Sequence, residues 1–298
     1  MSSEEPHLLT FTDVTDPEEL QENADLCAAM ASAAQIMDNV GVLNVLSGWP
    51  AVSILCDVRL IPVCNIPPRL NRVVGANLEF FKEMIFLVPD DQVQQAIDAL
   101  AANPGYPRCV DPSCAVFKED RCPNEPPSDD PVRFGVVGAA HFHVVPSGLP
   151  LTLYPMSKMV WSLRDLNDES PHITLASACM PEPWAELYPI RVLTRRAFVE
   201  SLILCRCRDY GRNPSLDTLW CRLLLAFAVR GVDLSDGFAP FWSVFAYLDD
   251  VYDPDELLCE LRDKLITRDG LPVHPDHCPD SWKFRSRGHW RRACTEML

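Results

Sequence analysis

The chain lacks a bilayer-spanning apolar run, a surplus of basic residues, and the glycine-rich signatures of common nucleotide- and acyl-transferring folds. Each absence narrows function. A membrane-crossing helix needs about 20 consecutive apolar residues, and no stretch approaches that, so no membrane partner is expected. Lys and Arg number 26 against 42 Asp and Glu, a formal net charge of -16 that opposes attachment to a phosphate backbone. Nucleic acid is therefore not an expected partner. No Gly-x-x-x-x-Gly-Lys loop, Gly-x-Ser-x-Gly elbow or Gly-x-Gly-x-x-Gly turn occurs, which removes P-loop, hydrolase and dinucleotide readings. The first residues carry Glu4, Glu5 and Asp13 where a secretory signal would be basic and then apolar, so a cytoplasmic or nuclear location is expected.

What is present is a long, apolar and cysteine-rich chain. Its 298 residues allow one large or two medium domains, and 48% hydrophobic content is ample for a core. The 13 cysteines are an odd number. Cys27, Cys205, Cys221 and Cys259 fall inside apolar helical stretches, where a reduced thiol acts as a small hydrophobe, so a disulfide framework is not expected.

Patterning over residues 29 to 100 gives an element order. Met30, Ala33, Ala34, Met37 and Val40 recur at helical spacing from Ala29 to Val40, and Gly41 ends the helix. Val42, Leu43, Val45 and Leu46 form a short buried strand running into the Ser47-Gly48-Trp49 turn, after which Ala51 to Leu55 resumes an apolar pattern. Met84 to Val88 is a continuous apolar run closed by Pro89, the mark of a central strand buried on both faces. Asp90 and Asp91 then stand at the N-cap of a helix with Val93, Ala96, Ile97 and Leu100 on one face. The order is helix, strand, turn, helix, strand, helix.

That order looks like the minimal nucleotidyltransferase fold. Together with Phe86-Leu87-Val88-Pro89-Asp90, His141-Phe142-His143, Leu153-Tyr154, Ser157, Trp161, Leu175-Ala176-Ser177, Tyr188-Pro189-Ile190-Arg191 and Cys207-Arg208-Asp209-Tyr210-Gly211, it resembles a family of uncharacterised fungal proteins with a degenerate nucleotidyltransferase-like fold. The resemblance spans roughly residues 25 to 215. It implies an α+β class, with a nucleotidyltransferase-like mixed sheet and flanking helices followed by a helical C-terminal subdomain. An active transferase needs two carboxylates one residue apart on the second strand, because two divalent cations bridge the phosphates and the attacking oxygen. Here those places are Glu83 and Ile85, or Asn77 and Glu79, and each reading leaves one carboxylate. Gly48-Trp49 also replaces the Gly-Ser pair that holds the triphosphate. Magnesium-nucleotide is therefore not an expected cofactor. Residues 64–82 depart from the family pattern and read as a lineage-specific insertion or a gene-model error.

A Cys/His constellation carries the sharpest chemical expectation. Cys109 and Cys114 lie in a turn-rich stretch, and strand alternation in His141-Phe142-His143 puts both imidazoles on one face. The set suits a structural Cys2His2 zinc site whose ligand atoms should converge within about 4 Å, with Cys122 as a spare ligand. The plainer alternative is loop cysteines beside ordinary strand histidines. Gly48, Trp49, Lys158 and Trp161 are candidate binding residues, and the Trp-as-core, Lys-as-solvated-edge reading stands beside that one. Glu79, Glu83, Asp90 and Asp91 are remnant catalytic candidates.

From Pro123 to Pro131 the chain reads as a proline-rich loop, with strand character at 132–137, 142–145 and 151–154. The period changes near Thr194, an N-cap, and apolar helices follow over 194–211, 216–229, 240–248 and 255–266. Arg206, Arg208 and Asp209 there form a local ion pair or mark a site. The expected division is an acidic segment 1–24, an α/β domain 25–192, a helical subdomain 193–268 and a basic tail 269–298. The functional reading is a degenerate protein binding a small molecule or another protein. The alternative is a nucleotide-dependent transferase with relocated carboxylates.

Overall fold

The structure, a computed structural model, describes residues 17–56, 83–111, 114, 138–163, 166–210, 214–228, 231–247, 254–268 and 270–271. Glu79 and the whole 64–82 segment, Cys122, the proline-rich stretch, the strand expected at 132–137, Gly211 and the tail beyond Leu271 lie outside the described residues.

Helix α1 (Pro17–Asn39) begins twelve residues before the apolar stripe that reveals it. Its early residues, Glu18, Glu19, Gln21 and Glu22, are good helix formers that add nothing to apolar periodicity. The stripe itself is core: Met30, Ala33, Ala34 and Met37 are fully buried. Val40 is a correction, since it lies past the helix and is 41% exposed. Gly41 has φ +75°, its amide donates to Asp38 O (2.9 Å) and the Val42 amide to Met37 O (3.0 Å). These bonds close the helix in a Schellman motif that turns Val42, not Val40, into the core.

Strands β1 (Val45–Ser47), β2 (Met84–Val88), β3 (Ala140–His143), β4 (Pro150–Pro155), β5 (Ile173–Leu175) and β6 (Arg191–Leu193) form one mixed sheet in the order β3-β4-β2-β1-β6-β5. The class is α+β. Strand β2 is central, antiparallel to β1 with Ser47 opposite Ile85 and parallel to β4 with Met84 opposite Leu151. Its apolar run matches burial on both faces. Strand β4 ends at Pro155, opposite Val88, and Pro89 follows β2, so neither ladder continues.

Helix α2 (Gly48–Leu55) packs on β1 and β2, and α3 (Val93–Ala101) packs on α1 and β4. Asp90 and Asp91 do not cap α3. They lie in a 3-10 turn, and Asp90 accepts instead from the Ser157 amide (3.0 Å) and hydroxyl, joining the ends of β2 and β4. Short helices α4 (Met156–Met159), α5 (Ala176–Cys179) and α6 (Pro181–Trp184) follow the strands. The Tyr188 to Arg191 segment makes a joint at the other side of the sheet. Asp38 at the end of α1 accepts from Arg191 Nη1 (2.8 Å), the Tyr188 hydroxyl (2.8 Å) and Asn44 Nδ2 (2.7 Å), tying α1 to β6.

After β6 the described elements are helices: α7 (Arg195–Asp209), α8 (Pro214–Ala228), α9 (Ala239–Tyr247) and α10 (Pro254–Thr267). Thr194 caps α7, its hydroxyl accepting from the Ala197 amide (3.4 Å). Helix α7 is buried along nearly its whole length, and its buried arginines Arg206 and Arg208 form ion pairs. Arg206 Nη2 reaches Asp255 Oδ1 on α10 (2.8 Å), Tyr210 OH donates to Asp255 Oδ2 (3.0 Å), and the guanidinium lies over Phe241 and Phe245 of α9 (5.9 and 5.7 Å). Arg208 and Asp209 meet through two 2.7 Å bonds, and Trp220 Nε1 donates to Asp209 (2.8 Å). Among the described residues no helix is long and apolar enough to cross a membrane.

Candidate metal centre

The four Cys and His residues meet because a turn after α3 returns the chain along the outer edge of β3. Asn103 Oδ1 accepts from the Gly105 amide (2.9 Å), and buried Tyr106 anchors to Ala29 O of α1 (2.8 Å). From there the backbone pairs with β3: Val145 N to Gly105 O (2.9 Å), His143 N to Pro107 O (3.1 Å) and Cys109 N to His141 O (3.0 Å). Cys109 is thus pinned by the main chain beside His141. A further turn, Cys114 N to Asp111 O (3.0 Å), brings Cys114 back.

Strand alternation supplies the rest. Phe142 is fully buried on one face, while the His141 and His143 rings stand edge-on on the other, centroids 5.4 Å apart. One ligand atom from each of Cys109, Cys114, His141 and His143 lies within 4.8 Å of all the others, and Cys114 Sγ is 3.5 Å from His143 Nε2. Ligands 2.0 to 2.3 Å from zinc in a tetrahedron stand roughly 3.3 to 3.8 Å apart, so no pair needs to contract by more than about 1 to 1.5 Å, and Cys114 and His143 already stand at that spacing. The 4.8 Å limit is wider than the 4 Å expected from the sequence.

The electrostatics suit a cation. Burial, with help from the neighbouring His143, lowers the His141 pKa and keeps that imidazole neutral, the form that ligates. Burial pushes the Cys109 thiol up, a hydrogen bond from the Asp111 amide to its sulfur pulls it down, and Cys114 raises it further. A bound cation would supply the positive charge that lets both thiols ionise.

The carboxylates Glu83 and Asp90 singled out from the sequence lie elsewhere on the sheet and have partners of their own. Glu83 is buried and accepts from Thr152 Oγ1 on β4 (2.6 Å). Ile85 takes the next place on that face and abuts the start of α2. Gly48 there has φ +66°, and a Cβ on it would lie 2.9 Å from Ile85 Cδ1, so both backbone and space require glycine. Asp90 is bound to Ser157, and Asp91 is exposed on its turn.

The proposed binding residues are not drawn to one point by their recorded contacts. Gly48 faces Ile85, and Trp49 is half-buried on α2. Trp161 donates to Gly270 O (3.2 Å) with Arg208 over its ring (5.0 Å), while Lys158 is exposed and its carbonyl accepts from Arg208 Nη1. Sequence reasoning missed Thr152, Ser157 as partner of Asp90, and the Gly105 to Cys109 ladder. The first two carry no spacing signal because their partners are 69 and 67 residues away. Compared with protein-family models, curated proteins and solved structures, the chain matches none.

Proposed function

We propose that this chain is a catalytically degenerate nucleotidyltransferase-like protein that serves as a binding module for a small molecule or a protein, its sheet edge stapled by structural zinc. The observation that carries the degenerate reading is Ile85 packed against the Gly48 end of α2, where a second metal-binding carboxylate would be needed, with Glu83 alone beside it and held by Thr152. An alkyl group there cannot ligate magnesium. It also fills the approach to the α2 amides that a triphosphate would use.

The zinc reading rests on donor chemistry. Two thiolates and two neutral imidazoles form a borderline-soft set that suits zinc over magnesium or calcium, which prefer oxygen. Four protein ligands complete the shell and leave no open position for a substrate, so the ion's role is structural. The ion would join the Cys109–Cys114 turn to β3 and close the excursion between residues 114 and 141 at its base.

Two measurements test the reading. Incubation with labelled nucleoside triphosphates, magnesium and candidate acceptors should give no transfer, whereas robust self-labelling abolished by Glu83→Ala would sink the degenerate assignment. Metal analysis of protein purified without chelators should find about one zinc per chain, reduced to background in a Cys109→Ser/Cys114→Ser variant. Full zinc retention by that variant would remove the site.

A further inference from the structure

Resting on the zinc reading, the geometry points to a main-chain hydrogen bond that sets the metal-binding atom: the Gly148 carbonyl holds His143 as its Nδ1–H tautomer so that Nε2 binds the metal. His143 Nδ1 lies 3.3 Å from Gly148 O. A carbonyl can only accept, so this bond requires the proton on Nδ1 and leaves the Nε2 lone pair free to face the cluster. That nitrogen stands 3.5 Å from Cys114 Sγ. Before metal enters, the Cys114 thiol donates to Nε2. When zinc binds, the two thiols lose two protons to solvent, the thiolate sulfurs and imidazole nitrogens each form a bond to the ion, and no electron changes hands.

The turn that aims this carbonyl is specified locally. Val144 N donates to Leu149 O (2.9 Å) and Gly148 N to Val144 O (2.6 Å), folding residues 144–149 into a tight reversal between β3 and β4. Gly148 sits at φ +71°, a left-handed conformation that glycine enters without cost and a β-branched residue resists. A Cβ at Gly148 would meet nothing within 4 Å, so substitution there acts on the backbone and not by collision. The group that orients the imidazole is thus main chain and depends on no side chain. Groups that hydrogen-bond to a metal ligand in this way commonly change metal affinity about 10- to 100-fold when removed.

The full chain, labelled with 15N-histidine and loaded with one equivalent of zinc, gives a direct test by long-range proton–nitrogen correlation of the imidazole rings. Protonated Nδ1 and metal-bound Nε2 are expected for His143, assigned by the signals lost in His143→Asn. Zinc bound through His143 Nδ1 would overturn the inference and leave the zinc reading intact, whereas no zinc uptake by the wild-type chain would overturn both. Competition with a chromophoric chelator should show zinc affinity reduced about 10-fold or more in Gly148→Val. Unchanged affinity in that variant would also overturn the role of the turn.

Discussion

The helical end and the outer edge of the sheet both concentrate polar side chains at low exposure, and they balance them in opposite ways. Arg206, Arg208, Asp209 and Asp255 carry two positive and two negative charges, each cation within 2.7 to 2.8 Å of an anion and backed by Tyr210, Trp220 and aromatic faces. Cys109, Cys114, His141 and His143 each turn one ligating atom toward the others, all within 4.8 Å. A network that neutralises itself does structural work unaided. A converging set of lone pairs has the donors to hold an external cation. The same contrast resolves Arg206, Arg208 and Asp209, for which sequence left ion pair and site both open.

Breaking the self-balanced network should have the largest effect. Asp255→Ala would strand Arg206 in the interior, and an uncompensated buried charge typically costs about 3 to 5 kcal/mol. Urea unfolding of the zinc-loaded protein should show that loss, and a change under 1 kcal/mol would mean the charges are not balanced as described. Removing zinc should come next. Ligand binding to the folded state alone contributes about 2.7 to 4.1 kcal/mol at 100 to 1,000 times Kd, so excess chelator should lower Tm in the wild type and leave Cys109→Ser/Cys114→Ser unmoved. Equal responses of the two proteins would count against the site.

The buried thiol of Cys27 sharpens the comparison, because burial alone sets its pKa. Burial pushes the Cys27 thiol up from 9.0 to about 12. A raised folded-state pKa means the stabilisation is complete below pH 9 and is lost as pH climbs toward 12, because the unfolded chain releases its proton first. At pH 10 this amounts to about 1.4 kcal/mol for one such group. The alkaline decline in unfolding free energy should therefore be shallower by that amount in Cys27→Ala, and parallel curves would refute it. The smallest effect concerns the turn at the start of α2. Gly48→Ala must adopt a positive φ and displace the tip of Ile85, which should cost about 1 to 2 kcal/mol. A neutral result in thermal unfolding would show that the Gly48–Ile85 contact does not fix the α2 entry.

Legibility followed the range of the interaction. Strand β2 was plain from Met84 to Val88 because a five-residue apolar run has few alternatives. Strands β5 and β6, three residues each, gave no readable period and are held by the ladder they join. Thr194 was identifiable as a cap since its partner Ala197 is three residues on. Asp90 looked like a cap for the same reason, yet Ser157 competes for its carboxylate and wins both oxygens.

In the metal centre, residue types and strand alternation determined the ligand candidates, because side-chain period is a property of the local backbone. Sequence also set the apolar fill at Ile85, the acidic balance and the helical character after Thr194. Only the tertiary structure decided that Cys109 lies against His141, through the ladder from Gly105 to Cys109 beside β3, and that Gly148 faces His143. It likewise decided that Arg206 finds its anion 49 residues away. The reason is physical: dihedral preference and periodicity are fixed within a few residues, whereas charge pairing and ligand convergence depend on which distant segments share one sheet edge or one helix interface.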